Sequence, residues 1–228
     1  PAVNNLIGAD LKLNNEIELL NEIDSSIGHD DVNCETILDF NIWKLADYFI
    51  TTPVIPIRTT STCYYQQCAF CSHHGNGHYY EYPLVNIKKA IENSNQKYFF
   101  FTDDLISKKR LLELAKIIPK GSKWMCQLKP TIDLDKETLK ILFDSGLKNI
   151  IWGVESGCNR ILKLMRKGTN IVDIKQVLEE SHNVGIKNIV YIMFGFPTET
   201  KDEFNQTVDF LKKNEPHIDL ISTSIFGL

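Results

Sequence analysis

The chain has 228 residues, of which 43% are hydrophobic and 24% are charged, with 25 basic and 29 acidic side chains. A chain of this size and composition can bury a full hydrophobic core and forms one domain, or one domain with an extension. The charge balance excludes a strongly basic surface for nucleic acid and a polyanionic tail. The apolar runs are too short to span a membrane, no secretory signal opens the chain, and six cysteines are too few for a disulfide scaffold. A cytoplasmic location is therefore predicted.

The first 50 residues differ from the rest of the chain. Glu16 to Ile27 predicts a helix, and Asp30 to Tyr48 is an irregular acidic and aromatic stretch. We interpret residues 1–50 as an irregular or helical N-terminal extension, or as a linker from a missing upstream domain. Residues 51–228 form the main domain in this interpretation. Because the chain does not begin with Met and ends inside an apolar run, we expect it to be a piece of a longer protein.

Short apolar runs alternate with segments of helical period from residue 51 onward. The six runs that predict strands are Val54 to Ile57, Tyr98 to Phe101, Trp124 to Leu128, Ile150 to Val154, Val190 to Phe194 and Leu220 to Phe226. Repeated strand and helix units indicate parallel pairing. The predicted fold is therefore α/β, a partial (β/α)6 TIM-like barrel, with a doubly wound open sheet as the alternative.

The helical segments show apolar stripes and recognisable ends. The stripes comprise Leu111, Leu114, Ala115 and Ile118; then Leu139, Leu142 and Phe143; and last Phe204, Val208 and Leu211. Thr200-Lys-Asp-Glu203 predicts a capping box at a helix start. Gly146, Gly168 and Gly185 stand where helices should end.

Three cysteines lie in one loop after the first predicted strand, as Cys63-x4-Cys68-x2-Cys71. Three thiolates without an evident fourth ligand indicate a metal centre with an open position, where a small molecule can bind and react. The alternative is a Cys3His zinc site completed by His73, His74 or His78, in a binding or electron-transfer module without catalysis. Cys34, Cys126 and Cys158 are predicted to be structural thiols.

Polar groups follow every one of the first five predicted strands. They are the cysteine loop, Thr102-Asp103-Asp104, Gln127 with Lys129, Glu155-Ser156-Gly157, and Gly195-Phe-Pro-Thr-Glu199. In α/β barrels the carboxyl ends of the strands form the active site, so we expect these five loops to converge on one mouth. Zinc bound by the cysteines explains none of the other four loops.

Each of these residues also has a structural interpretation. Asp103 and Asp104 can cap the helix that starts near Ser107. Lys167 and Arg166 can complement a helix dipole before Gly168. Glu155 ends an apolar strand and needs a polar partner if it is buried. The aromatic residues Tyr98 to Phe101 are expected to lie in the barrel core.

The motifs together resemble a radical S-adenosylmethionine (radical SAM) core over residues 51–228. The resemblance rests on the cysteine loop with Phe70 before its last cysteine, Phe101-Thr-Asp-Asp104, Gly153-Val-Glu-Ser-Gly157, Ile161-Leu-Lys-Leu-Met-Arg-Lys-Gly168 and Gly195-Phe-Pro-Thr-Glu-Thr200. The chain is most similar to the branch that often has an N-terminal cobalamin-binding domain. It departs from the commonest pattern in three ways. One extra residue precedes Cys68, Thr-Asp-Asp replaces Gly-Gly-Glu, and Glu199 lies one position late.

The resemblance implies a 4Fe–4S cluster on Cys63, Cys68 and Cys71, whose remaining iron binds S-adenosylmethionine. It implies reductive cleavage to a 5′-deoxyadenosyl radical that abstracts a substrate hydrogen, with methyl transfer or modification of a peptide or small molecule as the outcome. The implied cofactor-binding residues are Phe70 near adenine, Thr102 and Asp103 near the amino group, Glu155 and Ser156 near the ribose or carboxylate, Lys167 or Arg166 at the carboxylate, Gly195 beside the nucleoside, and Gln127 at the same mouth. Implied partners are a small-molecule or peptide substrate, an electron donor such as flavodoxin or ferredoxin, and cobalamin on an upstream domain.

Overall fold

The structure, a computed structural model, describes residues 37–42, 44, 47–49, 51–72 and 79–227. The predicted helix at residues 16–27 and the three histidines of the alternative zinc site lie outside the described residues. The chain divides into two compact units, residues 1–36 and 37–228. All of the described residues belong to the second unit. Within it, Phe40 lies in a 3-10 turn, Phe40–Ile42, and packs in the hydrophobic core. The boundary at residue 50 stays a prediction.

Strands and helices alternate along the described part of the chain. The strands are β1 (Ile55–Ile57), β2 (Tyr98–Phe101), β3 (Lys123–Leu128), β4 (Leu147–Glu155), β5 (Lys187–Phe194) and β6 (Leu220–Ile225). The helices are α1 (Leu84–Asn93), α2 (Lys108–Ile117), α3 (Lys136–Asp144), α4 (Asn159–Leu164), α5 (Ile171–Val184) and α6 (Lys201–Lys213). A further 3-10 turn, Glu215–His217, precedes β6. Each of the six predicted strands corresponds to a strand of the structure.

The six strands form one parallel sheet in the order β1-β2-β3-β4-β5-β6. Since each strand pairs with its neighbour in sequence, every crossover advances in the same direction and the helices lie on one face of the sheet. A doubly wound sheet would reverse its strand order at a switch point. The order therefore confirms the predicted partial (β/α)6 barrel. No helix in the described ranges is both long and apolar enough to span a membrane.

The hydrophobic core lies between the sheet and its helices, and the strand alternation decides which residues enter it. Phe99 and Phe101 are fully buried, whereas Tyr98 on the concave face is 37% exposed. The expectation that this whole aromatic run belongs to the core is therefore wrong for Tyr98. The predicted ends at Gly146 and Gly185 are confirmed, with left-handed φ angles of 111° and 99°.

Helix α6 is present as its apolar stripe predicts, and its Thr200 and Glu203 form the predicted capping box. Leu211 of the stripe packs against the core, whereas Phe204 is 40% exposed and contacts the Phe194 ring. The buried positions also include Glu203 and Thr207, which bond to the β4–α4 segment, with Glu203 pairing with Arg160 and Thr207 contacting Ser156.

Candidate active site

A cavity of about 230 Å³ opens at the carboxyl end of the sheet. It brings together all three cysteines of the loop after β1, Asp104 after β2, Gln127 and Lys129 at the end of β3, Glu155 at the end of β4, and Lys167 after α4. They come from five segments, four of which are among the five strand ends predicted to meet at the mouth of the barrel. The loop after β5, with Gly195, does not line this cavity, although Tyr191 of β5 does.

The cysteine loop presents its three thiols to this cavity. Cys63, Cys68 and Cys71 are all half-buried and none forms a disulfide. The amide of Cys71 donates to the carbonyl of Cys68 at 3.2 Å, and the amide of Ala69 donates to the carbonyl of Met165 at 2.8 Å. Gln66 has a left-handed φ of 44°, within the longer x4 stretch. A local turn and the hydrogen bond from Ala69 to the end of α4 therefore help to fix the loop.

Two ammonium groups lie beside these thiols. Burial raises the pKa of the Cys68 thiol, whereas the nearby Lys167 and Lys129 act in the opposite direction. Burial lowers the pKa of Lys129, whose ammonium lies 3.3 Å from the centre of the Tyr65 ring. Positive charge next to thiols favours thiolates, which are the form that binds metal.

Glu155 and Lys167 form an ion pair in the wall of the cavity. Lys167 Nζ donates to Glu155 Oε1 at 2.8 Å, and the two side chains are only 10% and 12% exposed. Glu155 has a left-handed φ of 66° and lies at an irregularity in the β4–β5 pairing, which turns its side chain out of the strand alternation. A Cβ atom on Gly153 would lie 2.7 Å from Lys167 Nζ and 2.8 Å from Glu155 Oε1. Glycine at position 153 therefore makes room for the ion pair.

The end of α4 directs Lys167 to this pair. The amide of Lys167 donates to the carbonyl of Leu162, and the amide of Arg166 to the carbonyl of Lys163, both at 3.0 Å. This is a Schellman motif, with Arg166 at the left-handed position, φ 51°, that glycine usually occupies. Lys167 consequently lines the cavity, whereas Arg166 lines a separate outer groove next to the cysteine loop.

Asp103 and Asp104 have different surroundings. Asp103 is fully buried and accepts hydrogen bonds from the amide of Thr59 at 2.8 Å and from the hydroxyl of Thr60 at 2.8 Å. Burial raises the pKa of Asp103, and these hydrogen bonds act in the opposite direction. Asp104 lines the cavity and pairs with Arg58 at 3.0 Å. Helix α2 is capped by Ser107 itself, so the interpretation of the aspartates as its caps is wrong.

The remaining predicted cofactor-binding residues fall into two groups. Phe70 and Gln127 line the cavity, and Lys167 Nζ lies 5.7 Å from the centre of the Phe70 ring. Thr102, Ser156 and Gly195 are not among its lining residues. The amide of Thr102 donates a hydrogen bond to the carbonyl of Ile57, and the amide of Gly195 donates one to the Glu199 carboxylate. The Ser156 hydroxyl contacts the Thr207 hydroxyl. Their roles as cofactor contacts stay predictions.

Sequence reasoning missed two residues of the site, Tyr65 and Gly153. Tyr65 donates its hydroxyl to the carbonyl of Arg166 at 2.8 Å and lies in van der Waals range of Gly168. In the sequence, Gly153 stands out only as part of the Gly153-Val-Glu-Ser-Gly157 motif. A glycine inside an otherwise buried strand is a signal of close approach by another group, and it would have pointed to the ion pair.

The donor set fits an iron–sulfur cluster. In the part of the chain that the structure describes, no three His, Cys, Asp or Glu side chains are close enough to share a single metal ion. A cubane cluster takes each cysteine on a different iron atom, so its three ligands are spread more widely than those of one ion. Three unbridged thiols around one cavity, with a polar wall opposite, are compatible with such a cluster and with a ligand beside it.

The chain is similar to known proteins in both sequence and fold. Residues 57–211, more than half of the chain, match the Radical SAM superfamily. The chain is 31% identical over 113 residues to tRNA-2-methylthio-N(6)-dimethylallyladenosine synthase of Thermotoga petrophila, a match that covers 44% of this chain and 25% of the relative. It is 30% identical over 173 residues to bacteriochlorophyllide d C-12(1)-methyltransferase of Chlorobaculum tepidum, covering 71% of this chain and 38% of the relative.

Among solved structures, the chain resembles the radical S-adenosylmethionine methyltransferase TsrM of Kitasatospora setae, determined with cobalamin and a 4Fe–4S cluster bound. The TM-score is 0.66 at 18% identity, over 76% of this chain and 37% of TsrM. This chain therefore spans well under half the length of these relatives. Its sequence match and its fold establish that it belongs to the radical SAM superfamily.

Proposed function

We propose that this chain is the catalytic core of a radical SAM enzyme, with a 4Fe–4S cluster on Cys63, Cys68 and Cys71 and S-adenosylmethionine in the adjoining cavity. The observation that supports the proposal is that the three thiols line the same cavity as the Glu155–Lys167 ion pair. When bound, the reduced cluster supplies the electron that cleaves S-adenosylmethionine to methionine and a 5′-deoxyadenosyl radical, which takes a hydrogen atom from the substrate.

The residues of the cavity match the groups of S-adenosylmethionine by charge. Lys167 is suited to the methionine carboxylate, because its ammonium is held in place by Glu155 and faces the cavity. Glu155 offers its second carboxylate oxygen to a ribose hydroxyl. Asp104, which lines the cavity, is better placed than the fully buried Asp103 to meet the positively charged amino group.

Apolar side chains complete the wall. Phe70, Leu105, Leu128 and Ile151 line the same cavity. They provide a surface for the adenine ring and keep water from the place where a radical would form.

We further propose methyl transfer to a small-molecule or peptide substrate, with a flavodoxin or ferredoxin as electron donor and cobalamin on a domain outside residues 51–228. The support is that the relatives include a named methyltransferase and that the solved TsrM structure contains cobalamin. Adding hydroxocobalamin to the full-length protein, and testing whether methylation of a candidate substrate depends on it, examines this part separately.

Anaerobic reconstitution of the chain with iron and sulfide tests the main proposal. We expect four irons and four sulfides for each cubane, and cleavage of S-adenosylmethionine under reducing conditions. Cys68→Ala should abolish both, because it removes a cluster ligand. The matched control is Cys126→Ala, whose thiol is fully buried in β3 and should be dispensable for the cluster. Zinc without labile sulfide in the purified chain would instead support the non-catalytic metal-binding module.

A further inference from the structure

The outer groove adjoins the cysteine loop and shares Tyr65 with the cavity. It has a volume of about 420 Å³, and its polar lining comprises Tyr65, Gln67, Asn159, Lys163, Arg166, Thr169 and Asn170. Two of these residues, Tyr65 and Gln67, belong to the Cys63–Cys71 loop itself. Helix α4 and the segment between α4 and α5 supply the others. The groove is therefore a surface feature built directly on the metal-binding loop.

The groove is cationic on a chain whose net charge is −4. Lys163 and Arg166 are both exposed, and neither side chain forms an ion pair or hydrogen bond with the described residues. In addition, the Thr169 hydroxyl is buried without a partner in the described part of the chain. The groove thus has two cations available to a partner.

Tyr65 separates this groove from the cavity, because its side chain lines both. On the cavity side, Lys129 Nζ lies 3.3 Å from the centre of its ring. On the groove side, its hydroxyl donates to the carbonyl of Arg166 at 2.8 Å. Tyr65 therefore connects the cationic surface to the loop that carries the thiols.

We infer that the outer groove is the docking site of an acidic, low-potential one-electron carrier protein of the flavodoxin class. The inference rests on the proposed function, which requires an electron from outside. The carrier's reduced flavin loses one electron and the oxidised cluster gains it, with no atom transferred. Because the chain as a whole repels an acidic protein, the local cations at Lys163 and Arg166 orient the encounter. Electron-transfer complexes are small and transient, below about 1,200 Å² of buried surface, so a short cationic groove suffices.

RNA is the other polyanion that a cationic groove can bind. Two cations are few for RNA, since a stable phosphate-backbone interface neutralises about 6–10 phosphates. The groove shares residues with the cluster loop but is distinct from the open cavity, which also favours an electron carrier over a substrate.

Anaerobic stopped-flow measurement on the reconstituted chain tests the docking site. The second-order rate constant for cluster reduction by photoreduced flavodoxin is measured against ionic strength in the wild type and in Lys163→Glu/Arg166→Glu. We expect the double variant to be about tenfold slower at low ionic strength, with the difference shrinking as salt is added. The control is Lys89→Glu/Lys120→Glu, which reverses two exposed cations away from the groove and makes the same change in net charge. It should change the rate less than about twofold.

Reduced methyl viologen, a small cationic reductant, separates docking from damage to the cluster. The inference is supported by two results together. Methyl viologen reduces the clusters of the wild type and the groove variant at equal rates, and flavodoxin reduces the cluster more slowly in the groove variant alone. It is overturned if flavodoxin reduces both proteins equally, or if both reductants are slowed, since the groove would then act on the cluster. It is also overturned if tRNA binding depends on the two cations while flavodoxin reduction does not. Failure to assemble any cluster would contradict the proposed function instead.

Discussion

Two polar regions at opposite ends of the sheet use their hydrogen-bonding groups differently. Near the start of β5, the fully buried Asn188 accepts from the Trp152 indole and the Ser181 hydroxyl, and its amide group donates to the carbonyls of Leu178 and His217, each at 2.8 Å. Every bonding position of that amide is used. In the cavity at the other end, lysines and thiols are half-buried or lie at the wall, where further polar groups can reach them.

The comparison separates stability from ligand binding. A saturated buried network contributes to the free energy of folding and has nothing left to offer a ligand. The cavity contains the Glu155–Lys167 ion pair, the Lys129 ammonium and three thiols. These groups keep hydrogen-bonding and metal-binding capacity for a ligand, at the expense of stability. Substitutions at the two ends should therefore affect different measurements.

The largest expected effect on stability is at Asn188. Asn188→Leu leaves the Trp152 and Ser181 donors and two carbonyls without partners in the core, and should lower the free energy of unfolding by about 3–5 kcal/mol. Chemical denaturation of the cluster-free chain measures it. Asn205→Leu, on the exposed face of α6, is the control and should change stability by less than about 0.5 kcal/mol. If Asn188→Leu instead lowered cluster content in the folded fraction, the two ends would not be independent.

The next effect is on the cavity. Lys167→Gln removes one partner of the ion pair and should weaken S-adenosylmethionine binding by about tenfold or more, because a charged hydrogen bond is worth about 1.5–3 kcal/mol. Equilibrium binding to the reconstituted chain measures this. Lys163→Gln, four residues earlier on the outer groove, should leave the affinity unchanged.

Gly153→Ala sharpens the same prediction. The methyl group that this substitution adds would meet Lys167 Nζ, so the single variant should also weaken S-adenosylmethionine binding. In the Lys167→Gln background, the same substitution should cause little further loss of affinity. Full additivity of the two substitutions would show that Gly153 acts on something other than the ion pair.

A smaller effect, of opposite sign, is expected at the end of α4. Arg166 occupies a left-handed position that costs a non-glycine residue about 1 kcal/mol, so Arg166→Gly should stabilise the chain by about 0.5–1 kcal/mol. Thermal or chemical unfolding detects the gain. Lys163→Gly, inside the helix, is the contrasting variant and should destabilise it by a similar amount.

The smallest effect concerns acid stability. The hydrogen bonds from Arg160, and then from Thr200, lower the pKa of Glu203 to about 2. A carboxyl with a lowered pKa contributes stability above its unfolded value, near 4.3, and loses it as the pH falls towards 2. Glu203→Gln should therefore flatten the fall in melting temperature across that range, and the exposed Glu179→Gln should not.

The sequence was sufficient for the parallel architecture and for the loops that form the mouth. Strand positions were predictable because buried parallel strands read as continuous apolar runs, and the capping box at Thr200 marked the start of α6. Side-chain partners were not predictable. Asp103 and Asp104 are adjacent and chemically identical, yet one bonds to Thr59 and Thr60 in the core and the other lines the cavity. Their difference depends on the direction in which the chain leaves β2, which periodicity does not encode.

The polar contacts of α6 were not predictable for a related reason. Its apolar stripe at Phe204, Val208 and Leu211 indicates a helix, but does not reveal that Glu203 and Thr207 have buried partners. Hydrophobic periodicity assumes that the core-facing side of a helix is apolar. That assumption fails where a helix binds a polar loop.

The Schellman turn after α4 restricts insertions more than substitutions. Arg166 and Lys167 are consecutive, and the turn sends one to the outer surface and the other to the cavity wall. At the outward position, substitutions that keep the positive charge would be tolerated as the protein evolves. An insertion or deletion of one residue would exchange the two roles and place the wrong side chain opposite Glu155. Among related sequences, the length of this turn should consequently vary less than its composition.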